Sequence, residues 1–297
     1  MVSSYDLLHL LGHFSELKAA LTDNPALVAE QDETGKTLLH YVANAARFLG
    51  SPALSQTLTL LLTAPERNFN IQDDNGNTPM HYAALCCKHH PKTGEYVFPA
   101  FIKEAVKNGF DFSKLNDEGY TVLHLATTTS FEFPFSGISI NNAATVLNHA
   151  PEPGLNVLST AGKTALSYAL CHFRFQEATS LLQAGADVTL TSQNEPCPLD
   201  LIDEQLGYFH NIVDKNLAEN PEQHENYQAI IVELDKLKTT MDSIIEHEKT
   251  KSSAKVLAQG KISDFPLLAA SRKAPVSVDS PLRGDFRDDV KVNKLNL

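Results

Sequence analysis

Apolar residues fall at helical intervals through most of this chain. Near the start, Leu7, Leu8, Leu10, Leu11, Phe14, Leu17 and Leu21 recur every few residues, and Asn24-Pro25 then interrupts the run. That spacing predicts a helix pair over residues 5–30. Similar clusters follow at Leu58, Leu60, Leu61 and Leu62, at Phe101, Ile102, Ala105 and Val106, and at Ala144, Val146 and Leu147, each predicted as the inward face of a helix. Leu206 to Ala218 reads as another helix. Beyond Asn220-Pro221, the residues Ile230, Leu234, Leu237, Met241 and Ile244 step by 4, 3, 4 and 3, a narrow heptad stripe. The stripe is expected to fold back on the preceding helix and cover the open end of the molecule. The alternative is a coiled-coil dimer through residues 227–245. One segment departs from the helical period: Phe131 to Ile140 alternates apolar and polar residues about Ser136-Gly137, which predicts a short β-hairpin. Pro134 cannot donate to a ladder, so that hairpin belongs at an edge.

Between the apolar clusters a short signature repeats. It reads Gly35-Lys36-Thr37-Leu38-Leu39-His40, Gly76-Asn77-Thr78-Pro79-Met80-His81, Gly119-Tyr120-Thr121-Val122-Leu123-His124 and Gly162-Lys163-Thr164-Ala165-Leu166-Ser167, with a degenerate fifth copy at Cys197-Pro198-Leu199-Asp200. The threonine-equivalent positions 37, 78, 121, 164 and 197 are 41, 43, 43 and 33 residues apart. A glycine two residues before each Thr suits a tight turn with positive φ. The Thr suits a helix N-cap, and Pro79 and Pro198 suit the first helical turn, where a missing N–H costs nothing.

A 33-residue period with Thr-Pro-Leu-His opening a helix pair resembles the ankyrin repeat, and the likeness runs over about residues 5–205. Gly109-Phe110-Asp111-Phe112 and Gly185-Ala186-Asp187-Val188 are similar to the family's turn after each second helix. The fold class expected is therefore all-α: an ankyrin-repeat solenoid with enlarged inter-helix inserts, one of them hairpin-like, and a C-terminal helical cap. Its organisation is read as a capping helix pair over 1–36, repeats over 37–205, a helical annex over 206–250 and a mobile tail over 251–297. The first three repeats exceed the family period by 8, 10 and 10 residues. The surplus falls between the two helices each time, around 48–55, 88–97 and 128–141. Because paired helices are antiparallel, all three inserts are expected at the same end of the stack, where they form a rim.

The resemblance implies that His40, His81 and His124 bridge backbone groups of neighbouring repeats, and that the protein binds other proteins through hairpin tips and first-helix faces. Carried onto this sequence, the contact positions are Lys36, Asn77, Tyr120 and Lys163, with Glu33, Thr34, Asp74, Asn75, Glu118 and Ala161 beside them. The third insert adds Phe131, Phe133, Phe135, Ile138 and Ile140, helped by Tyr96 in the neighbouring insert, because these apolar residues stand where the family has a short turn. In the family an Asn eight residues before the Thr is a hydroxylation site, and Asn70 and Asn156 fill that slot here. Irregular repeats, a helical annex, and Leu295 and Leu297 in a tail with Lys291 and Lys294 resemble the ankyrin effectors that intracellular bacteria inject into host cells. A eukaryotic scaffold and a non-catalytic part of a Cys/His hydrolase are the alternatives.

Composition narrows the chemistry. The 297 residues carry a net charge of −12, which opposes nonspecific nucleic-acid binding. No apolar stretch reaches the ~20 residues of a membrane span, and no leader is visible, so a soluble intracellular protein is expected. The four cysteines Cys86, Cys87, Cys171 and Cys197 are irregularly placed and form no disulfide framework. Cys86-Cys87-Lys88-His89-His90 is the one cluster that invites a metal or thiol reading, but adjacent cysteines on a helix diverge and no second pair lies nearby. With no phosphate loop or nucleophile elbow either, no enzyme activity, metal or cofactor is expected.

Overall fold

The computed structural model describes residues 4–45, 52–85, 97–128, 131–132, 139–192, 195–216 and 221–258. The chain divides into two compact units, Met1–Met241 and Asp242–Leu297. The second is described only over 242–258, the distal part of one long helix.

Among its described residues the first unit is all-α apart from one pair of two-residue strands. It opens with α1 (Ser4–Gly12), α2 (Phe14–Asp23) and a 3-10 turn over Pro25–Val28. Helix pairs follow: α3 (Leu38–Ala45) with α4 (Pro52–Thr63), α5 (Pro79–Ala84) with α6 (Val97–Lys107), α7 (Val122–Thr128) with α8 (Asn142–His149), and α9 (Ala165–Cys171) with α10 (Phe175–Gln183). Each first helix begins immediately after the signature Thr. Thr78 and Thr164 hold extended backbone, and the Thr164 hydroxyl accepts the Ser167 N–H. That bond satisfies a donor the helix start would otherwise leave orphaned.

The pairs stack in two rows. The first helices α1, α3, α5, α7 and α9 touch in sequence, as do the second helices α2, α4, α6, α8 and α10. Between the rows lie Leu38, Leu39, Met80, Leu123, Leu166, Phe101 and Ile102, all fully buried. Gaps of 46–51, 85–96 and 129–141 separate the helices of the first three pairs, where the surplus residues were expected, against 172–174 in the fourth. In the third gap β1 (Phe131–Glu132) pairs antiparallel with β2 (Ser139–Ile140), Phe131 opposite Ile140. The predicted hairpin is thus seen in its two ends, while Phe133, Phe135 and Ile138 lie outside the described residues, as do Tyr96 and the Cys86–His90 cluster.

Two further helices are described, α11 (Pro198–Asn216) and α12 (Pro221–Ala258). α11 starts eight residues before the helix expected at Leu206 and runs without a break through 205–206, because the degenerate signature caps it. Cys197 Sγ accepts the Asp200 N–H at 3.4 Å and faces the Asp200 carboxylate at 3.2 Å. Up to Met241, α12 runs antiparallel to α11: Tyr227 packs on Phe209 at 5.8 Å, and Lys238 reaches back to pair with Asp203. Its buried positions are Ile231, Leu234, Leu237 and Met241. Ile231 replaces Ile230 of the predicted stripe, and Ile230 and Ile244 are only half-buried.

Candidate protein-binding face

Each signature builds one hairpin, and the side chain that organises it sits five residues before the Thr. Asp32 Oδ1 accepts the Thr34 and Lys36 N–H groups at 2.8 and 3.0 Å, and Asp73 Oδ1 accepts those of Asn75 and Asn77 at 3.0 and 2.9 Å. The second carboxylate oxygen takes a hydroxyl from the first helix: Tyr41 donates to Asp32 at 2.5 Å and Tyr82 to Asp73 at 2.7 Å. Burial opposes ionisation of Asp32, but the hydrogen bonds from Tyr41, Thr34 and Lys36 outweigh it and lower its pKa. The third repeat changes both partners at once, to Asn116 and Leu125, and the fourth to Ser159 and Tyr168.

The histidines join one repeat to the next. His40, His81 and His124 each accept their own Thr N–H at Nδ1, at 3.0, 3.1 and 3.2 Å. Nε2–H is thereby fixed as a donor, and it reaches the carbonyls of Asn77, Tyr120 and Lys163 at 3.0, 3.0 and 3.1 Å. Burial pushes His40 and His124 down to about 4 and lowers His81 as well. They are neutral structural ties. Neighbouring hairpins are also bonded directly, Asp74 N–H to the Thr34 carbonyl and Asp117 N–H to the Asn75 carbonyl, both at 3.1 Å.

This arrangement decides the architecture: capped helix pairs in two rows, hairpins bonded edge to edge, and a His–carbonyl tie from each of the first three repeats to the next. The fold is that of an ankyrin-repeat protein. The crystal structure of EF0377, an ankyrin repeat protein, is similar with a TM-score of 0.52 at 19% sequence identity, over 74% of this chain and 99% of that chain. No protein-family model and no curated protein matches the sequence. Among the described residues no helix is long and apolar enough to cross a membrane.

The ankyrin array places the predicted contact residues as follows. Lys36 Nζ lies 3.8 Å from Asp73, and Lys163 Nζ 3.6 Å from Glu195, so both lysines lean toward the next turn. The Asn77 amide oxygen accepts from Asn116 at 2.9 Å. Tyr120 is half-buried, edge-on to Tyr168 at 5.4 Å, and the hydrogen bond to Tyr168, then burial, raises its pKa to about 12. It is half-exposed along with Tyr41, Tyr82 and Tyr168, whereas the signature residues Thr, Leu or Met, and His are sealed inside. These four are the half-buried tyrosines described on the hairpins and first helices of the repeats. Asn70 donates to the Gly109 carbonyl at 3.3 Å and accepts the Asp111 N–H at 3.1 Å, and Asn156 accepts the Asp187 N–H at 2.9 Å. Both tie one repeat to the turn of the next.

Sequence reasoning missed several partners. Asn142, 2% exposed, donates to the Ala84 carbonyl at 3.0 Å, and Gln205 donates to that of Leu170 at 3.0 Å, each closing a helix end in another element. Phe173 takes φ 54°, an uncommon conformation for a bulky residue, with its ring against Phe209 at 5.5 Å. His9, His13 and Glu16 bring ligand atoms within 4.8 Å of one another on the exposed surface of the first helices. His9 lies on α1, His13 at the break between the helices and Glu16 on α2, so the bend that gathers them was not readable from spacing alone.

Proposed function

We propose that this chain is a protein-interaction module whose partner lies across the hairpin and first-helix face and extends onto the third-repeat insert. One observation carries the reading: the half-exposed tyrosines Tyr41, Tyr82, Tyr120 and Tyr168 on a face held rigid by inter-repeat bonds. Rigid aromatic side chains give contact area at low entropic cost and dominate interface energetics. Lys36, Asn77 and Lys163 border this face, and the partner's further contacts are read from the sequence of the inserts: Phe131, Phe133, Phe135 and Ile138 in the third, with Tyr96 in the second. In its finer form the partner is a host protein and the chain is a delivered bacterial effector. What supports that is the likeness of its long inserts and helical annex to such effectors.

The test is affinity capture followed by binding measurement with three proteins: wild type, Tyr120→Ala, and the double variant Phe133→Ala with Phe135→Ala. Truncating an anchor is expected to weaken binding by about thirtyfold while the melting temperature holds. If the double variant melts lower but its folded fraction binds as tightly as wild type, the insert is core. If Tyr120→Ala also binds normally, the face is not the site.

A further inference from the structure

We propose that His9, His13 and Glu16 form a binding site for one borderline divalent metal ion, Zn2+ or a close analogue, which ties α1 to α2. One ligand atom from each of the three residues lies within 4.8 Å of the other two, and all three residues are exposed. The bend between the helices gathers them: His9 is in the last turn of α1, His13 is the N-cap residue of α2, and Glu16 is in the first turn of α2. Leu7, Leu11 and Leu17 anchor the two helices in the core, so the three polar side chains meet on a fixed backbone. The site does not depend on the partner reading above.

Three observations go beyond proximity. His13 Nδ1 lies 2.9 Å from the His9 carbonyl oxygen. A carbonyl only accepts, so in the neutral ring Nδ1 carries the proton and the lone pair sits on Nε2. Ligating histidines are oriented in this way, with one ring N–H held by a backbone carbonyl and the other nitrogen left for the metal. The His9 and His13 rings stack, centroids 4.3 Å apart at 19°, so a spacing of four residues already holds two imidazoles side by side, as in helical two-histidine metal motifs. His9 Nδ1 stands 3.7 Å from a Glu16 carboxylate oxygen, too far for a hydrogen bond. Tetrahedral bonds of about 2.0–2.2 Å set neighbouring ligand atoms about 3.3 Å apart, and exposed side chains close the remaining distance by small rotations. Two imidazoles and one carboxylate suit Zn2+, Co2+ or Ni2+, whereas Mg2+ and Ca2+ take oxygen ligands. Water completes the shell. The His13 side chain makes no capping bond to α2, so the ion supplies a link across the break that the side chains alone do not.

The experiment titrates the full chain, first stripped with a chelator, with Zn2+ in a calorimeter, and with Mg2+ as the control. Wild type is compared with Glu16→Gln and with the triple variant His9→Ala, His13→Ala, Glu16→Gln. The triple variant is expected to bind one ion fewer than wild type, and Glu16→Gln to hold that ion about tenfold more weakly. Zinc held elsewhere, for example by Cys86 and Cys87, is counted in both proteins and cancels in the difference. Zn2+ is also expected to raise the melting temperature of wild type more than that of the triple variant, and to slow amide exchange over residues 7–17 in wild type alone. Equal numbers of ions in wild type and triple variant, or Mg2+ bound as tightly as Zn2+, overturns the site. Loss of one ion in the triple variant with no slowing of exchange in wild type overturns the tie between the helices. Should the triple variant melt lower without metal, the imidazole resonances of His9 and His13 in wild type decide: a shift of both with one equivalent of Zn2+ supports the site, and no shift overturns it.

Discussion

His40, His81 and His124 stay neutral because burial disfavours the charged ring, and each ring is used at both nitrogens, one accepting within its repeat and one donating across to the next. Protonation would turn the accepting nitrogen into a donor facing an N–H, inside a buried site. An unfolded histidine titrates near 6.5, whereas His40 and His124 in the folded chain titrate at about 4. A depressed folded pKa means that the stabilisation is complete above 6.5 and is lost as pH falls from 6.5 toward 4. By linkage each such histidine is worth up to about 3 kcal/mol. Asp32, lowered from 3.8, adds its loss only at lower pH. Urea unfolding at pH 7.5 and at pH 4.5 should therefore show a lower midpoint in acid, and a smaller drop in His124→Gln; a flat profile over that window contradicts the tie. Gly119 carries a second residue-scale prediction. It adopts φ 78°, and a Cβ there would stand 2.4 Å from the Thr160 backbone nitrogen in the neighbouring turn. Gly119→Val is expected to cost more than ~1 kcal/mol from backbone strain alone, and more from the clash. Thermal denaturation measures it, and an unshifted melting temperature rules out this turn.

At the scale of elements, the signature sets where helices begin more firmly than where they end. Each first helix follows its Thr, and even the fifth copy works, since the Cys197 sulfur accepts the Asp200 N–H and its thiol faces the Asp200 carboxylate, as the Thr hydroxyls face His Nδ1 elsewhere. That is why α11 starts at Pro198, although the apolar pattern alone suggested Leu206. The α12 stripe has its partner within the chain, with Leu234 fully buried and Leu237 at 3% exposure. Leu234→Ala is expected to destabilise the first unit by about 2–5 kcal/mol, with molecular mass by light scattering unchanged. A dimer seam would instead make stability depend on protein concentration and shift the mass in the variant. The third insert is a different kind of element. Its ends are tied by the pairing of Phe131 with Ile140, and two-residue strands are too short to be stable in isolation.

Over the whole molecule, stability passes from repeat to repeat, as a solenoid requires, and the bonds that carry it are repeated with small changes. Those changes localise difference: Tyr–Asp pairs in the first two repeats, the Tyr120–Tyr168 contact in the last two, and Ser167 in place of the bridging histidine. The net charge of −12 is not spread evenly, and the hairpin tips of the first three repeats present part of it on the face where a partner is expected. The sequence by itself determined the class of fold, the place of each turn and the structural role of the histidines. These depend on local chemistry, since a glycine at positive φ, a capping hydroxyl and a 3.6-residue apolar period are each written within a few adjacent residues. It also indicated the inserts and the short hairpin, through length and a switch to period two. Only the tertiary structure decided that Asn142 and Gln205 close helices far away in the chain, that Ile231 rather than Ile230 faces inward, and that Lys36 and Lys163 lean on neighbouring turns. Each of these depends on which atoms face one another between elements, and such contacts across repeats are set by packing distance and register, which no local pattern encodes.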